Sequence, residues 1–168
     1  SLPKVICKAP VTEIKQDPQG VIVRTEIEDY SADRVVLSVP ISVIGRIKFT
    51  PTLPEDFQHA IAVTKMGSAG KLSAMLTEEP PLLAKQDSDA PYWCWTGQVR
   101  DGVVKKAITA FCGSDSARER LKTSDKDADT WFESIQANCP EIRFSGEYVK
   151  KDWVDDRWTL GSYTVMTN

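Results

Sequence analysis

A single histidine, His59, is all the imidazole that the 168 residues contain. It stands among polar neighbours in a segment of helical periodicity, which speaks against a Ser-His-Asp triad or a histidine-ligated metal. Cys7, Cys94, Cys112 and Cys139 are scattered and include no C-x-x-C pair. Neither a zinc site nor a disulfide framework is indicated, and buried free thiols are the expectation. No metal is expected. No G-x-G-x-x-G joins a strand to a helix, so the pyrophosphate cradle of a dinucleotide-binding fold is missing. Gly67-Ser68-Ala69-Gly70-Lys71 lacks the spacing of a phosphate loop and has Leu72 where a Ser or Thr is required. No apolar run approaches the roughly 18 residues that span a bilayer, and no charged segment followed by an apolar one opens the chain. The chain therefore reads as soluble; its compartment is unknown, with the cytoplasm as the expected one. Twenty-one basic and 24 acidic residues leave a net charge of −3, without a block of one sign that could track a phosphate backbone. Nucleic acid is not an expected partner. Asp152, Asp155 and Asp156 read as a solvated turn rather than as paired catalytic carboxylates.

What is present is an ordinary globular composition, 41% hydrophobic and 27% charged, in a length that suits one domain. Short alternating runs fill the first third. Val5, Cys7 and Ala9 lead into Val11-Thr12-Glu13-Ile14, and Val21 to Thr25 follows the turn signal Asp17-Pro18-Gln19-Gly20, which predicts a hairpin. Arg34 to Val39 is almost wholly apolar and halts at Pro40, the pattern of a strand buried on both faces and internal to a sheet. Thr52 and Glu55 stand at capping-box spacing before a helix with Phe57, Ala60 and Ile61 on one face, ending before Gly67. Lys71 to Thr77, Tyr92 to Trp95 and Lys106 to Phe111 read as strands. A second helix begins near Ser124, carries Ala128, Trp131, Phe132 and Ile135 at helical spacing, and stops at Cys139-Pro140. Tyr148 to Trp153 is a final strand. This order predicts an α+β fold, a mixed β-sheet with helices on one side. Two helices cannot cover every apolar strand face, so some of that surface is expected to pack on a further domain.

The order of these segments resembles the flavin-dependent amine oxidases of the monoamine oxidase and polyamine oxidase type, over nearly the whole chain. Ala9-Pro10-Val11-Thr12-Glu13-Ile14 is similar to the family strand whose valine meets the FAD adenine through its backbone. Tyr30 to Pro40 resembles the signature Y-x-A-x-x-V-[IV]-x-x-[IVA]-P, and Ile47 to Pro54 the I-x-F-x-P-x-L-P that follows it. Met66-Gly67-Ser68-Ala69-Gly70-Lys71 is similar to the G-x-x-x-K segment whose lysine holds a water beside the flavin. Trp153 to Tyr163 resembles W-x-x-[DE]-x-[WY]-x-x-G-[SC]-Y, a segment that runs along the flavin ring, and it is the most specific of the matches.

Taken alone, Lys71 is a surface lysine at a strand start and Trp153 an ordinary core aromatic. The resemblance implies otherwise: Lys71 becomes the catalytic lysine, Val11, Trp153, Ser162 and Tyr163 become FAD-binding residues, and Tyr163 also becomes one side of a cage that orients the amine. Ser162 stands where some members carry the cysteine linked to FAD. A serine cannot form that thioether, so noncovalent FAD is expected. The implied function is the substrate-binding part of an FAD-dependent amine oxidase that turns an amine into an imine with oxygen as acceptor. Residues 1–168 are then a single substrate-domain fragment, inactive in isolation. Its expected partners are a small-molecule amine and the remainder of its own flavoprotein chain, which would carry the dinucleotide-binding part and a C-terminal FAD segment. The alternatives are a related L-amino-acid or polyamine oxidase, and a non-catalytic binding module that has kept the fold.

Overall fold

The computed structural model describes residues 5–86, 89–98 and 101–165. Its elements are β1 (Val11–Asp17), β2 (Gly20–Thr25), β3 (Asp29–Ala32), α1 (Ile41–Ile44), β4 (Lys48–Thr50), α2 (Glu55–Val63), β5 (Lys65–Met66), β6 (Gly70–Leu76), β7 (Ala84–Gln86), β8 (Trp93–Gln98), β9 (Val104–Cys112), α3 (Asp115–Arg120), α4 (Asp129–Asn138), β10 (Phe144–Asp152) and β11 (Thr164–Val165). The fold is α+β, as expected. The chain forms two compact units, one from residues up to Lys65 and from Thr164 onward, the other Met66–Tyr163.

The first unit is built on a four-stranded sheet in the order β3-β2-β1-β4, with β1 parallel to β4 and the other pairs antiparallel. The expected hairpin joins β1 to β2. The Asp17 carboxylate accepts the Gln19 N–H at 2.9 Å, and Gly20 takes φ +144°, where a side chain would also meet the Ala32 carbonyl at 2.9 Å. Glu13 is the unit's buried charge. It accepts from Arg24 at 2.6 Å, Lys48 at 2.9 Å and the Thr50 hydroxyl at 3.1 Å. Lys48 and Thr50 above all hold its carboxyl down to about 2, against a smaller opposing effect of burial.

Two expectations for this unit fail. Residues 34–39 form no strand, and Val36 is 92% exposed. Apolar composition reports a need for cover, not a ladder partner, and among the described residues no strand pairs with this segment. The Thr52–Glu55 capping box does not form either. Pro54 is the N-cap of α2, with no side-chain cap, so Thr52 lies two residues too early to reach the first free amides. α2 buries none of its residues, and Phe57 is exposed.

The second unit is a five-stranded antiparallel sheet in the order β10-β6-β9-β8-β7. Leu72, Ala74, Leu76, Cys94, Ile108, Ala110 and Cys112 alternate along the strands toward one face. Trp131 and Ile135 of α4 complete that core with Ala117 of α3 and Leu121 just beyond it. The fully buried Trp131 ring lies 6.0 Å from Tyr92. α4 begins at Asp129, five residues later than Ser124. α3 was not foreseen: six residues are too few to show a periodic apolar stripe, although the Ser114 hydroxyl caps it by accepting the Ala117 N–H at 3.1 Å.

Asp152 corrects the reading of a solvated acidic turn. Its side chain is 6% exposed and accepts from Arg118 at 2.7 Å, the Thr123 hydroxyl at 2.7 Å and the Val154 N–H at 2.9 Å. It fastens the end of β10 to the α3 region. Cys94, Cys112 and Cys139 are buried free thiols, while Cys7 is free but exposed. Burial and the neighbouring Cys139 thiol, 3.8 Å away, push Cys94 up to about 12. Among the described residues, no helix is long and apolar enough to cross a membrane.

Candidate functional site

Because strand residues alternate, the second unit's sheet has a second face that α3 and α4 do not cover. The registers place Lys151, Lys71, Phe111, Trp93 and Gln86 in one cross-strand row on that face. Val149, Ser73, Thr109, Trp95 and Ala84 form the next row. Directly opposed side chains on one face are close enough to touch, and Trp93 and Phe111 do so with ring centroids 4.7 Å apart.

Lys71 stands second in the first row, between Lys151 and Phe111. Its side chain is partly buried, with the ammonium 5.6 Å from the centroid of Phe111 and 5.6 Å from that of Trp153. Among the described residues no carboxylate lies within ion-pairing distance of it. Its three N–H donors are thus flanked by rings rather than consumed by an acid. Its row neighbour Lys151 pairs with Asp156, and that bond, with the Trp158 N–H, lowers the Asp156 carboxyl.

The two motifs singled out in the sequence interlock. Gly67 donates its N–H to the Tyr163 carbonyl at 2.6 Å, and its own carbonyl accepts the Ser162 N–H at 2.9 Å and the Ser162 hydroxyl at 3.1 Å. A side chain at Gly67 would meet the Tyr163 ring at 2.4 Å, so a glycine is needed for that ring to lie there. Gly161 has φ +143°, and a Cβ on it would meet Met66 at 2.2 Å. Trp153 donates to the Ala69 carbonyl at 3.2 Å and accepts from Gly161 at 2.8 Å. The Tyr163 hydroxyl donates to the Gly113 carbonyl at 3.0 Å, beside Phe111 and Trp93, whose atoms lie 3.4 and 4.0 Å from a Cβ built on Gly113.

The structure thus brings Lys71, Trp153, Ser162 and Tyr163 into one unit. Val11 belongs to the other, where it pairs with Thr25 beside a register shift that leaves Thr12 as the extra residue. Such a bulge frees local backbone groups from the ladder. Phe111 and Trp93 were not identified as site residues from the sequence. The alternation of Tyr92-Trp93-Cys94-Trp95 was legible, but not which of its faces the helices would leave open.

The aromatic sheet face and the tyrosine locked at its edge suit a flat ligand or an amine, and the Lys71 ammonium between two of the rings offers its N–H donors to a water or a ligand acceptor. Residues 4–167 match the family model for flavin-containing amine oxidoreductases. Nicotine dehydrogenase of Pseudomonas putida (strain DSM 28022 / S16) is 26% identical over 165 residues, 96% of this chain and 33% of that protein. The probable flavin-containing monoamine oxidase A of Dictyostelium discoideum is 25% identical over 180 residues, covering 95% and 37%. Among solved structures, cyclohexylamine oxidase from Brevibacterium oxydans IH-35A shares the fold with a TM-score of 0.74 at 18% identity, over 94% of this chain and 37% of that one. The chain spans about a third of the length of the curated relatives it matches. With the family model matched over nearly its whole length, the chain belongs to the flavin-containing amine oxidoreductases.

Proposed function

We propose that the whole protein is an FAD-dependent amine oxidase that converts an amine to an imine with oxygen as acceptor, this chain being its substrate-binding part and one face of its flavin pocket. The observation that carries the reading is the Lys71 ammonium, held between Phe111 and Trp153 on an open aromatic face with no acid beside it. When bound, FAD would supply the acceptor for the hydride equivalent (two electrons and one proton) lost from the amine carbon, the amine nitrogen giving its proton to solvent.

The chain's own residues then have defined tasks. The Trp153 indole supplies a flat wall, and the Lys71 ammonium holds a water with its free donors. The exposed Tyr163 ring orients the amine, an attraction worth about 0.5–2 kcal/mol when the amine is charged. Phe111 and Trp93 keep bulk water off the reacting carbon. The Ser162 hydroxyl, engaged with the Gly67 carbonyl, offers no sulfur for a thioether, so FAD is bound there noncovalently. Val11, next to its bulge, suits a backbone contact to the cofactor.

The test uses the full-length holoprotein, reduced anaerobically by a panel of amines, with the carbonyl product of imine hydrolysis identified and flavin release on denaturation measured. Reduction by amines followed by rapid reoxidation in oxygen supports the reading. No reduction by any amine, or flavin that stays attached to the Ser162 peptide, would overturn it. A second reading, in which another carrier takes the electrons, is favoured by the relative named a nicotine dehydrogenase. It predicts slow reoxidation by oxygen and fast reoxidation by an artificial acceptor.

A further inference from the structure

We infer that Asp152 is a positioning residue of this site: one carboxylate oxygen closes a turn around Trp153 and the other anchors that turn to the α3 region, which sets the indole against the Lys71 ammonium. The inference rests on the amine-oxidising reading above and adds to it a residue that lies behind the reacting face. Its starting point is register. β6 begins at Gly70 and β10 ends at Asp152, and these two residues oppose each other as the last pair between the strands. Lys71 follows the one and Trp153 the other, and the ammonium lies 5.6 Å from the indole centroid.

The bonds of Asp152 divide between its two oxygens. Oδ1 accepts the Val154 N–H at 2.9 Å, a bond across two residues that closes the chain into a turn with Trp153 at its middle. Aspartate and asparagine have the length for that turn, and glutamate is a methylene too long. Oδ2 accepts from the Arg118 guanidinium and from the Thr123 hydroxyl, each at 2.7 Å. Gly70 makes room for the second of these, since a Cβ there would meet the Thr123 side chain at 2.8 Å. The Asp152 side chain is almost fully buried, so these partners rather than water hold it.

Trp153 is also tied on both sides of its own backbone. Its N–H goes to the Ala69 carbonyl at 3.2 Å, and its carbonyl accepts from the Gly161 N–H and the Thr159 hydroxyl, each at 2.8 Å. The turn closed by Asp152 fixes the dihedrals between those bonds, and with them the direction in which the indole leaves the sheet. α3 holds the Lys71 side of the site as well, through Asp115, which accepts the Ser68 hydroxyl. Such backing matters because a displacement of about 1 Å among reacting groups can cost about 100-fold in rate.

The experiment separates the turn from the ion pair in the full-length holoprotein. Asp152→Asn can close the turn but has no charge for Arg118, whereas Asp152→Glu keeps the charge and is too long for the turn. Asp152→Asn should therefore keep kcat for amine oxidation, per folded and flavin-loaded molecule, within about 3-fold of wild type, and Asp152→Glu should lower it by about 10-fold or more with a smaller change in KM. The visible circular dichroism of the bound flavin, which reports the wall beside it, should stay like wild type in the first variant and change in the second. Asp152→Ser and Asp152→Ala repeat the comparison with shorter side chains, one able to close the turn and one not, should the longer ones impair folding. A purely structural Asp152 predicts either that turnover follows the ion pair, so that Asp152→Glu outperforms Asp152→Asn, or that turnover per folded molecule does not move. Either result overturns the inference while leaving amine oxidation standing. Should no amine reduce the wild-type flavin, the proposed function falls, and the dichroism alone decides whether Asp152 sets Trp153: equal spectra within each pair of variants overturn it.

Discussion

The two faces of the second unit's sheet are made by the same strands and differ only in which alternate residues point where. One carries Leu72, Ala74, Ile108, Ala110 and Cys94, all buried under α3 and α4. The other carries Lys71, Ser73, Thr109, Phe111, Trp93 and Trp95, of which none is fully buried. The covered face has small and branched apolar side chains that interlock with helices. The open face has large flat rings, one unpaired ammonium and a self-satisfied pair of hydroxyls. A strand with period two can thus fasten the fold with one set of residues and leave the other set to chemistry. Substitutions on the two faces should accordingly separate into losses of stability and losses of function.

The largest effect should come from the covered face. Trp131→Ala removes the largest fully buried side chain among the described residues and should cost about 3–5 kcal/mol, read as a lower denaturant midpoint of the full-length holoprotein, with turnover per folded, flavin-loaded molecule retained. A change of less than 1 kcal/mol would mean that the helical face is not what holds the unit together. At the edge between the faces, Gly67→Ala should cost about 1–3 kcal/mol through the clash with the Tyr163 ring. Unlike Trp131→Ala, it should also lower turnover per folded molecule by displacing that ring. Retained turnover would show that the Tyr163 position is irrelevant to the reaction.

A charge that belongs to neither face sharpens the contrast. Glu13 has its carboxyl held down to about 2, so its contribution to stability is complete above the ordinary carboxyl range. It is lost as pH falls from there through about 2. Glu13→Gln should remove that part of the acid slope in a stability-against-pH series and leave the slope near neutrality alone. An identical acid limb in both proteins would refute the network with Lys48, Thr50 and Arg24.

The smallest effect on stability should come from Lys71→Met, which keeps bulk and deletes the ammonium. Stability should shift by less than about 0.5 kcal/mol, while flavin reduction or reoxidation slows by more than substrate affinity weakens. Stopped-flow measurement of both half-reactions locates the loss. Unchanged rates in both, with flavin content intact, would make Lys71 part of the structure only.

Periodicity and turn chemistry made the hairpin of β1 and β2, the strands β6 and β9 and most of α4 legible before any coordinates, because each depends on local signals. Residues 34–39 were misread because an apolar run reveals a wish for burial but not who provides it. α3 was too short to show a period, though Ser114 announced its start. The acidic turn after β10 concealed Asp152, whose partners Arg118 and Thr123 lie about 30 residues away in sequence. Lys71, Trp153 and Tyr163 were visible only as a family resemblance. What brings them together is a set of long-range backbone bonds, and composition carries no trace of those.

One of those bonds has a consequence in time. Gly67 and Ser162 are 95 residues apart, and closing so long a loop costs chain entropy before any contact returns it. On a ribosome that makes the chain from its N-terminus, the segment around Gly67 emerges long before Ser162 and Tyr163 exist to meet it. The clasp at Gly67 therefore cannot close until residues 162 and 163 have been made, and a chain arrested before them lacks it.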